Sequence, residues 1–207
     1  MNGVQSFSNG GKRLEKVKSD KYERILQAAI EVISEKGMEK ASISDIVKRA
    51  EVAQGTFYLY FRSKNALIPA IAENLLAYSF GKIQKKTQGK SDFWDILRVM
   101  IDETFETTNR YKDVIVLCYS GLAFENSMET WEAIYTPYYQ WFREILTKAV
   151  EAEQILPVNV KWHAVMVINL MENEAERFYI AKETGSTPEK TKLELFQFFK
   201  RSLGIRS

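Results

Sequence analysis

Apolar and polar positions alternate along this chain almost everywhere with a period near 3.6, the spacing that puts one stripe of side chains on a single helix face. Tyr22, Ile25, Leu26, Ala29, Val32 and Ile33 form such a stripe, with Asp20 and Glu23 in capping-box spacing ahead of it and Gly37 as its stop. Ile43, Ile46, Val47 and Ala50 mark a second, short helix, which Ser42 and Asp45 can cap. Glu51-Val52-Ala53 is the length of a tight turn, and Gln54 to Tyr60 supplies a third helix. Phe57 and Phe61 lie four apart and point into a core. Gln54, Gly55, Thr56, Tyr58, Leu59 and Tyr60 are left to face outward, a shape that a DNA major groove about 12 Å wide accepts.

Ser63 can cap a longer helix carrying Leu67, Ile71, Leu75 and Tyr78. The polar segment Lys85 to Ser91, with Gly89 inside it, reads as a boundary. Beyond it the pattern predicts one helix from Asp92 through Phe93, Ile96, Leu97, Met100, Ile101 and Phe105, and a second from Tyr111 to Phe124. A third runs from Met128 to about Glu153 with a kink at Pro137. Two more span Val160–Lys182 and Pro188–Ser202. No strand alternation and no repeat is visible. The predicted fold is all-α: a three-helix helix-turn-helix head and a larger helical domain. The organisation read is a flexible tail over 1–18, the head over 19–65, a connecting helix and linker over 66–90, and the larger domain over 91–207.

The order of residues in the head resembles the signature of the tetracycline-repressor (TetR) family of bacterial transcriptional regulators. The resemblance rests on Ala50, Val52, Gly55-Thr56-Phe57-Tyr58, Tyr60-Phe61, Ser63-Lys64 and Leu67. Two positions depart from it. Glu51 stands where the family often has Gly, at a turn that can require positive φ. Ala53 stands where the family often has a hydroxyl residue. The resemblance implies that the second helix of the motif enters the major groove of a palindromic operator. Gln54, Gly55, Thr56, Tyr58 and Leu59 would then face bases, and Ser42, Ser44, Tyr60 and Lys64 would contact the backbone. It also implies a homodimer and a small-molecule effector bound in the larger domain.

For the effector, the pocket wall expected is Trp94, Phe105, Tyr119, Phe124, Trp131, Tyr135, Tyr138, Trp141 and Phe142, with Asn169, Glu172, Asn173 and Glu176 on the polar side of the Val160–Lys182 helix. Each aromatic is equally at home in a filled core. The polar side is open between lining a pocket, bridging a dimer and meeting water. The dimer seam expected is a four-helix contact through Trp162, Val165, Met166, Phe178, Leu193, Phe196, Phe198 and Phe199.

Composition narrows the partners. The net charge of +2 conceals 16 basic against 9 acidic residues in 1–90 and 13 against 18 in 91–207. A basic N-terminal part suits phosphate contact. Lys12, Arg13, Lys16 and Lys18 read as a solvated tail or, alternatively, a basic arm. Cys118 is the only cysteine, so an intrachain disulfide is excluded, and with His163 the only histidine a zinc site is not expected. No cofactor is expected. No nucleophile elbow, dinucleotide-binding glycine motif or phosphate-binding loop is present, so an enzyme is not expected either. No apolar run is long enough for a signal peptide or a membrane span, which places the expected protein in the cytoplasm. An all-α carrier or enzyme with a basic head, and an activator in place of a repressor, are the rival readings.

Overall fold

The computed structural model describes residues 8–121, 127–182 and 185–204, with side chains described from Asp20 onward apart from residues 120–128, 130 and 131. Its elements are α1 (Ser8–Lys36), α2 (Ile43–Arg49), α3 (Gln54–Tyr60), α4 (Leu67–Thr87), α5 (Phe93–Gly121), α6 (Ser127–Glu151), α7 (Val160–Tyr179) and α8 (Pro188–Leu203). Among the described residues there is no strand. Two compact units divide between Ile71 and Ala72.

The first unit is built on α1 to α3 and the first turn of α4. Ile25, Ala29, Ile46, Phe57, Leu67 and Ile71 are fully buried and form its centre. The unit runs past the expected boundary at residue 65 because Leu67, Ile68 and Ile71 belong to this core. α1 begins at Ser8, within the segment expected to be a tail, and Asp20 lies inside it and pairs with Arg24 at 4.0 Å. From Lys12 to Lys36 no proline or glycine interrupts the helix, so a capping-type pair at Asp20 has nothing to terminate.

The second unit packs α5 against α6, α7 and α8, and α7 against α6 and α8. Phe93, Leu97, Met100, Phe105, Phe142, Leu146, Ile168 and Met171 are buried at its centre. The two helices expected on either side of Tyr111 form one element, α5, with a break at Tyr111 itself, where φ is −117° and ψ is 20°. Pro137 lies inside α6. A buried carboxylate joins α4 to α5: Glu103, 2% exposed, receives Lys82 at 2.9 Å and also Lys86. Asn159 caps α7 and Thr187 caps α8, with Pro188 in the first turn where its missing N–H costs no bond.

Candidate nucleic-acid interface and ligand cavity

The head is assembled by local rules that the sequence states openly. The Ser42 hydroxyl accepts the Asp45 N–H at 3.0 Å, and the Asp45 carboxylate accepts the Ser42 N–H at 3.2 Å, closing a capping box at the start of α2. Hydrogen bonding from Lys36 and then from Ser42 holds the Asp45 carboxyl down to about 2. At the other end Val52 N–H bonds the Val47 carbonyl at 3.0 Å and Glu51 N–H the Lys48 carbonyl at 3.3 Å. That is a Schellman closure, and Glu51 takes its left-handed position with φ 53°. Arg24 secures this strained turn, donating to the Ala50 carbonyl at 2.5 Å and the Glu51 carbonyl at 3.2 Å. Ala53 begins α3 without a side-chain cap.

This turn sets the face that α3 presents. Phe57 and Phe61 are buried, while Leu59 is 80% and Tyr58 51% exposed. Gln54 and Gly55 are exposed, and Thr56 and Tyr60 half-buried. A Cβ placed on Gly55 would meet nothing within 4 Å, so nothing inside the chain requires glycine there. Glycine in a helix costs about 1 kcal/mol relative to alanine. An exposed apolar ridge beside a glycine that packing does not need is a surface shaped for close approach by another molecule.

The residues expected on the DNA backbone are more varied. Ser44 is exposed. The Ser42 hydroxyl is engaged by its capping box. The Tyr60 ring stands edge-on to Tyr22 at 5.7 Å. Lys64 holds the loop between α1 and α2, its ammonium donating to the Met38 carbonyl at 2.6 Å and the Ala41 carbonyl at 2.8 Å. Two of its three hydrogens are engaged in this way. The basic residues of the tail fall outside the described side chains.

In the second unit a half-open cavity of about 80 Å³ lies among α4, α5, α6 and α7. Tyr119, Tyr135, Tyr138 and Glu172, all expected at the site, line it. Trp94, Phe105 and Phe142 do not: Trp94 packs on Phe93 and Phe196, Phe105 on Tyr179, and Phe142 between Phe93 and Trp141, so each serves the core. Asn169 lies in an adjoining acidic cleft and accepts the Tyr139 hydroxyl at 3.2 Å. Phe124 and the side chain of Trp131 lie outside the described residues.

Glu176, also on the expected polar side, lines it, whereas Trp141 packs on Phe80 and Tyr138 and does not; Ala72, Leu75, Leu76, Ser79, Thr104, Thr107, Thr108, Ile115 and Cys118 complete the wall and were not among the expected residues. The threonines were signalled by polar residues at i, i+3 and i+4 on an otherwise apolar stripe. The break in α5 adjoins the cavity: Tyr111 falls between Thr108 and Ile115, both of which line it.

The acids here are strained. The Tyr135 hydroxyl donates to Glu172 at 2.9 Å and the Tyr119 hydroxyl to Glu176 at 2.6 Å. Burial pushes the Glu172 carboxyl up to about 8 against the pull of the Tyr135 bond, and neighbouring Glu176 raises it further. Burial raises Glu176 in the same way and pushes the Cys118 thiol up to about 12. No cluster able to hold a metal is found among the described residues, and the His163 ring contacts the Asn159 carbonyl at 2.9 Å.

The seam residues separate into two groups. Trp162, Met166 and Leu193 are exposed, and Val165 and Phe178 half-buried. Phe196 and Phe199 are instead 5% and 2% exposed and face their own chain; Arg98 stacks over the Phe196 ring at 4.3 Å. Phe198, between them in register, is 50% exposed and takes the outward place.

Residues 25–71 match the family model described as bacterial regulatory proteins, tetR family, and residues 97–203 that described as tetracyclin repressor-like, C-terminal domain. The chain belongs to the TetR family. It is 61% identical over 187 residues to the uncharacterized HTH-type transcriptional regulator YvdT of Bacillus subtilis (strain 168), covering 90% of this chain and 96% of that one. The fold is similar to that of the transcriptional regulator FadR from Bacillus subtilis in complex with stearoyl-CoA, with TM-score 0.69, 20% identity and coverage of 86% and 96%. It is also similar to a putative transcriptional regulator from Saccharomonospora viridis in complex with choline, with TM-score 0.73, 15% identity and coverage of 89% and 97%. This TetR-family member is therefore a helix-turn-helix DNA-binding transcriptional regulator. No helix among the described residues is long and apolar enough to cross a membrane.

Proposed function

We propose that the protein is a homodimeric repressor released from a palindromic operator by a small organic effector. The observation that carries the DNA-reading part is the α3 face, where Leu59 stands 80% exposed beside a Gly55 that nothing in the chain requires. Gln54 can pair with an adenine edge, Leu59 can pack on a thymine methyl, and Gly55 lets the backbone close on the groove.

The dimer part is supported by the exposed apolar row of Trp162, Met166, Leu193 and Phe198 on α7 and α8. Beside it an open groove of about 500 Å³ runs along Leu170, Phe178, Leu195 and Phe198. An apolar row of this kind is self-complementary under two-fold symmetry. The effector part is supported by the cavity and by α4, whose early residues bury in the head and whose later residues line the cavity wall. The effector acts by binding one of two conformations more tightly and so shifting their populations. Two structural relatives are complexes with organic molecules, stearoyl-CoA in one and choline in the other, which favours an organic effector.

Selection of bound duplexes from a random pool tests this reading. It should return an inverted repeat whose half-site centres are about 10 base pairs, or a multiple, apart. Recovery of no preferred sequence would contradict it.

A further inference from the structure

Among the described residues the cavity and the cleft beside it are lined by three carboxylates, Glu132, Glu172 and Glu176, and by no lysine, arginine or histidine. The partners these acids have on their own walls are neutral: the hydroxyl of Tyr135 for Glu172 and that of Tyr119 for Glu176. Two further oxygens have no hydrogen-bond partner among the described residues. Tyr138 Oη and Thr107 Oγ1 are buried without a hydrogen bond, on residues only 3% and 6% exposed, and both residues line the cavity. Buried hydroxyls left unmade are costly and mark places where a ligand can complete the bonding.

Charge and size together narrow the ligand. An anionic ligand would bring negative charge onto Glu172 with no cation to receive it. About 80 Å³ of space in this half-open cavity houses a compact group, and anything longer must extend through its mouth. Tyrosine rings attract a positive charge placed against their faces. The two orphan oxygens accept N–H bonds, and a bare quaternary centre has none to give.

We propose that the cavity takes a small organic ammonium ion carrying N–H, its apolar body against Leu75, Leu76 and Ile115 and its charged nitrogen shared by Glu172, Tyr138 Oη and Thr107 Oγ1. This rests on the regulator reading above and names the chemical class of its effector.

The binding is coupled to a proton. With its carboxyl raised to about 8, Glu172 is mostly protonated at pH 7 in the empty cavity. An arriving cation favours the carboxylate, so one proton leaves to solvent as one cation enters. The other titratable groups facing this acid are Cys118 and Tyr119 on α5, Glu132, Tyr135, Tyr138 and Tyr139 on α6, and Glu176 on α7; Arg143 acts on Tyr139. Burial pushes the four tyrosines and the thiol upward, out of the neutral range, and α4 contributes no titratable group to the lining.

The test is calorimetry on the full chain at pH 7, in two buffers of different ionisation enthalpy. The probes are arylalkyl amines of graded length, each matched to the alcohol and the carboxylate of the same carbon skeleton. An amine should bind at least about ten-fold more tightly than its matched alcohol and carboxylate, with close to one proton released. Glu172→Gln should lower amine affinity about ten-fold and abolish the proton release. Tyr138→Phe should weaken the amine several-fold and leave the proton release unchanged, which gives a second reading if Glu172→Gln does not fold. The proposal is overturned if no amine binds, if the alcohol or carboxylate binds best, or if Glu172→Gln binds amines as the native chain does. The same probes added to the complex with selected DNA separate the two levels. Release by a carboxylate alone would overturn the ammonium ion and leave the regulator standing, whereas a ligand-free chain that selects no DNA would remove the regulator.

Discussion

Glu172, a carboxyl held near 8 by burial, makes stability depend on pH in the sense opposite to a salt-bridged acid. Between the ordinary carboxylate value near 4.5 and 8 the folded state holds more protons than the unfolded state, so stability falls as pH rises through that window. Glu172→Gln should therefore leave the unfolding free energy measured in urea nearly unchanged at pH 4 and raise it at pH 8 by about 1–3 kcal/mol, discounted for the surface Glu172 retains. An equal effect at both pH values would mean that the acid is solvated. Asp45 behaves in the opposite sense. Its carboxyl is depressed to about 2, so its contribution is present above the ordinary value of 3.8 and is lost as pH falls through 2. At this scale the sequence was informative wherever one residue's chemistry had one outlet: Phe57 and Phe61 inward, Ser42 and Asp45 in a cap. Phe196, Phe198 and Phe199 had two outlets. Their helix is apolar on more than one side, and periodicity does not say which side meets its own chain.

Helix boundaries followed their stop and start signals where those were strong, at Gly37, Ser42, Asn159, Thr187 and Pro188. The two helices expected on either side of Tyr111 are continuous in α5 because nothing there stops a helix: the chain passes through one residue of non-helical φ and ψ and goes on. The cavity threonines went unseen because buried hydroxyls on a helix are usually satisfied by their own backbone, as Thr87 is by the Ile83 carbonyl at 2.8 Å. The turn joining α2 to α3 gives a prediction at this scale. Glu51 sits at φ 53°, where a Cβ is disfavoured by about 1 kcal/mol, and its ion pair with Arg24 at 3.6 Å is solvent-exposed. Glu51→Gly should raise the stability of the protein by about 0.5–1 kcal/mol in chemical denaturation. A loss of stability would show that the Glu51 side chain supports the turn more than the strain opposes it.

At the scale of the molecule, the basic first part and acidic remainder assign the two tasks to different stretches of chain, and the family models match those same stretches separately. The proposed homodimer would assemble through the exposed row on α7 and α8. Phe198→Glu should give monomers in sedimentation that melt close to the native chain, because Phe198 is 50% exposed and contributes little to its own core. Phe196→Glu should instead unfold the domain, at a cost of about 3–5 kcal/mol for losing a buried ring. Intact dimers with Phe198→Glu would place the seam elsewhere. The central claim is that α3 reads DNA with its outward face, and operator affinity of Leu59→Ala and Thr56→Ala tests it most directly, measured on the selected duplex beside far-ultraviolet helicity and melting. The expected result is that each variant loses about 1–3 kcal/mol of specific binding with helicity and melting unchanged. Native affinity for the operator in both variants would contradict it.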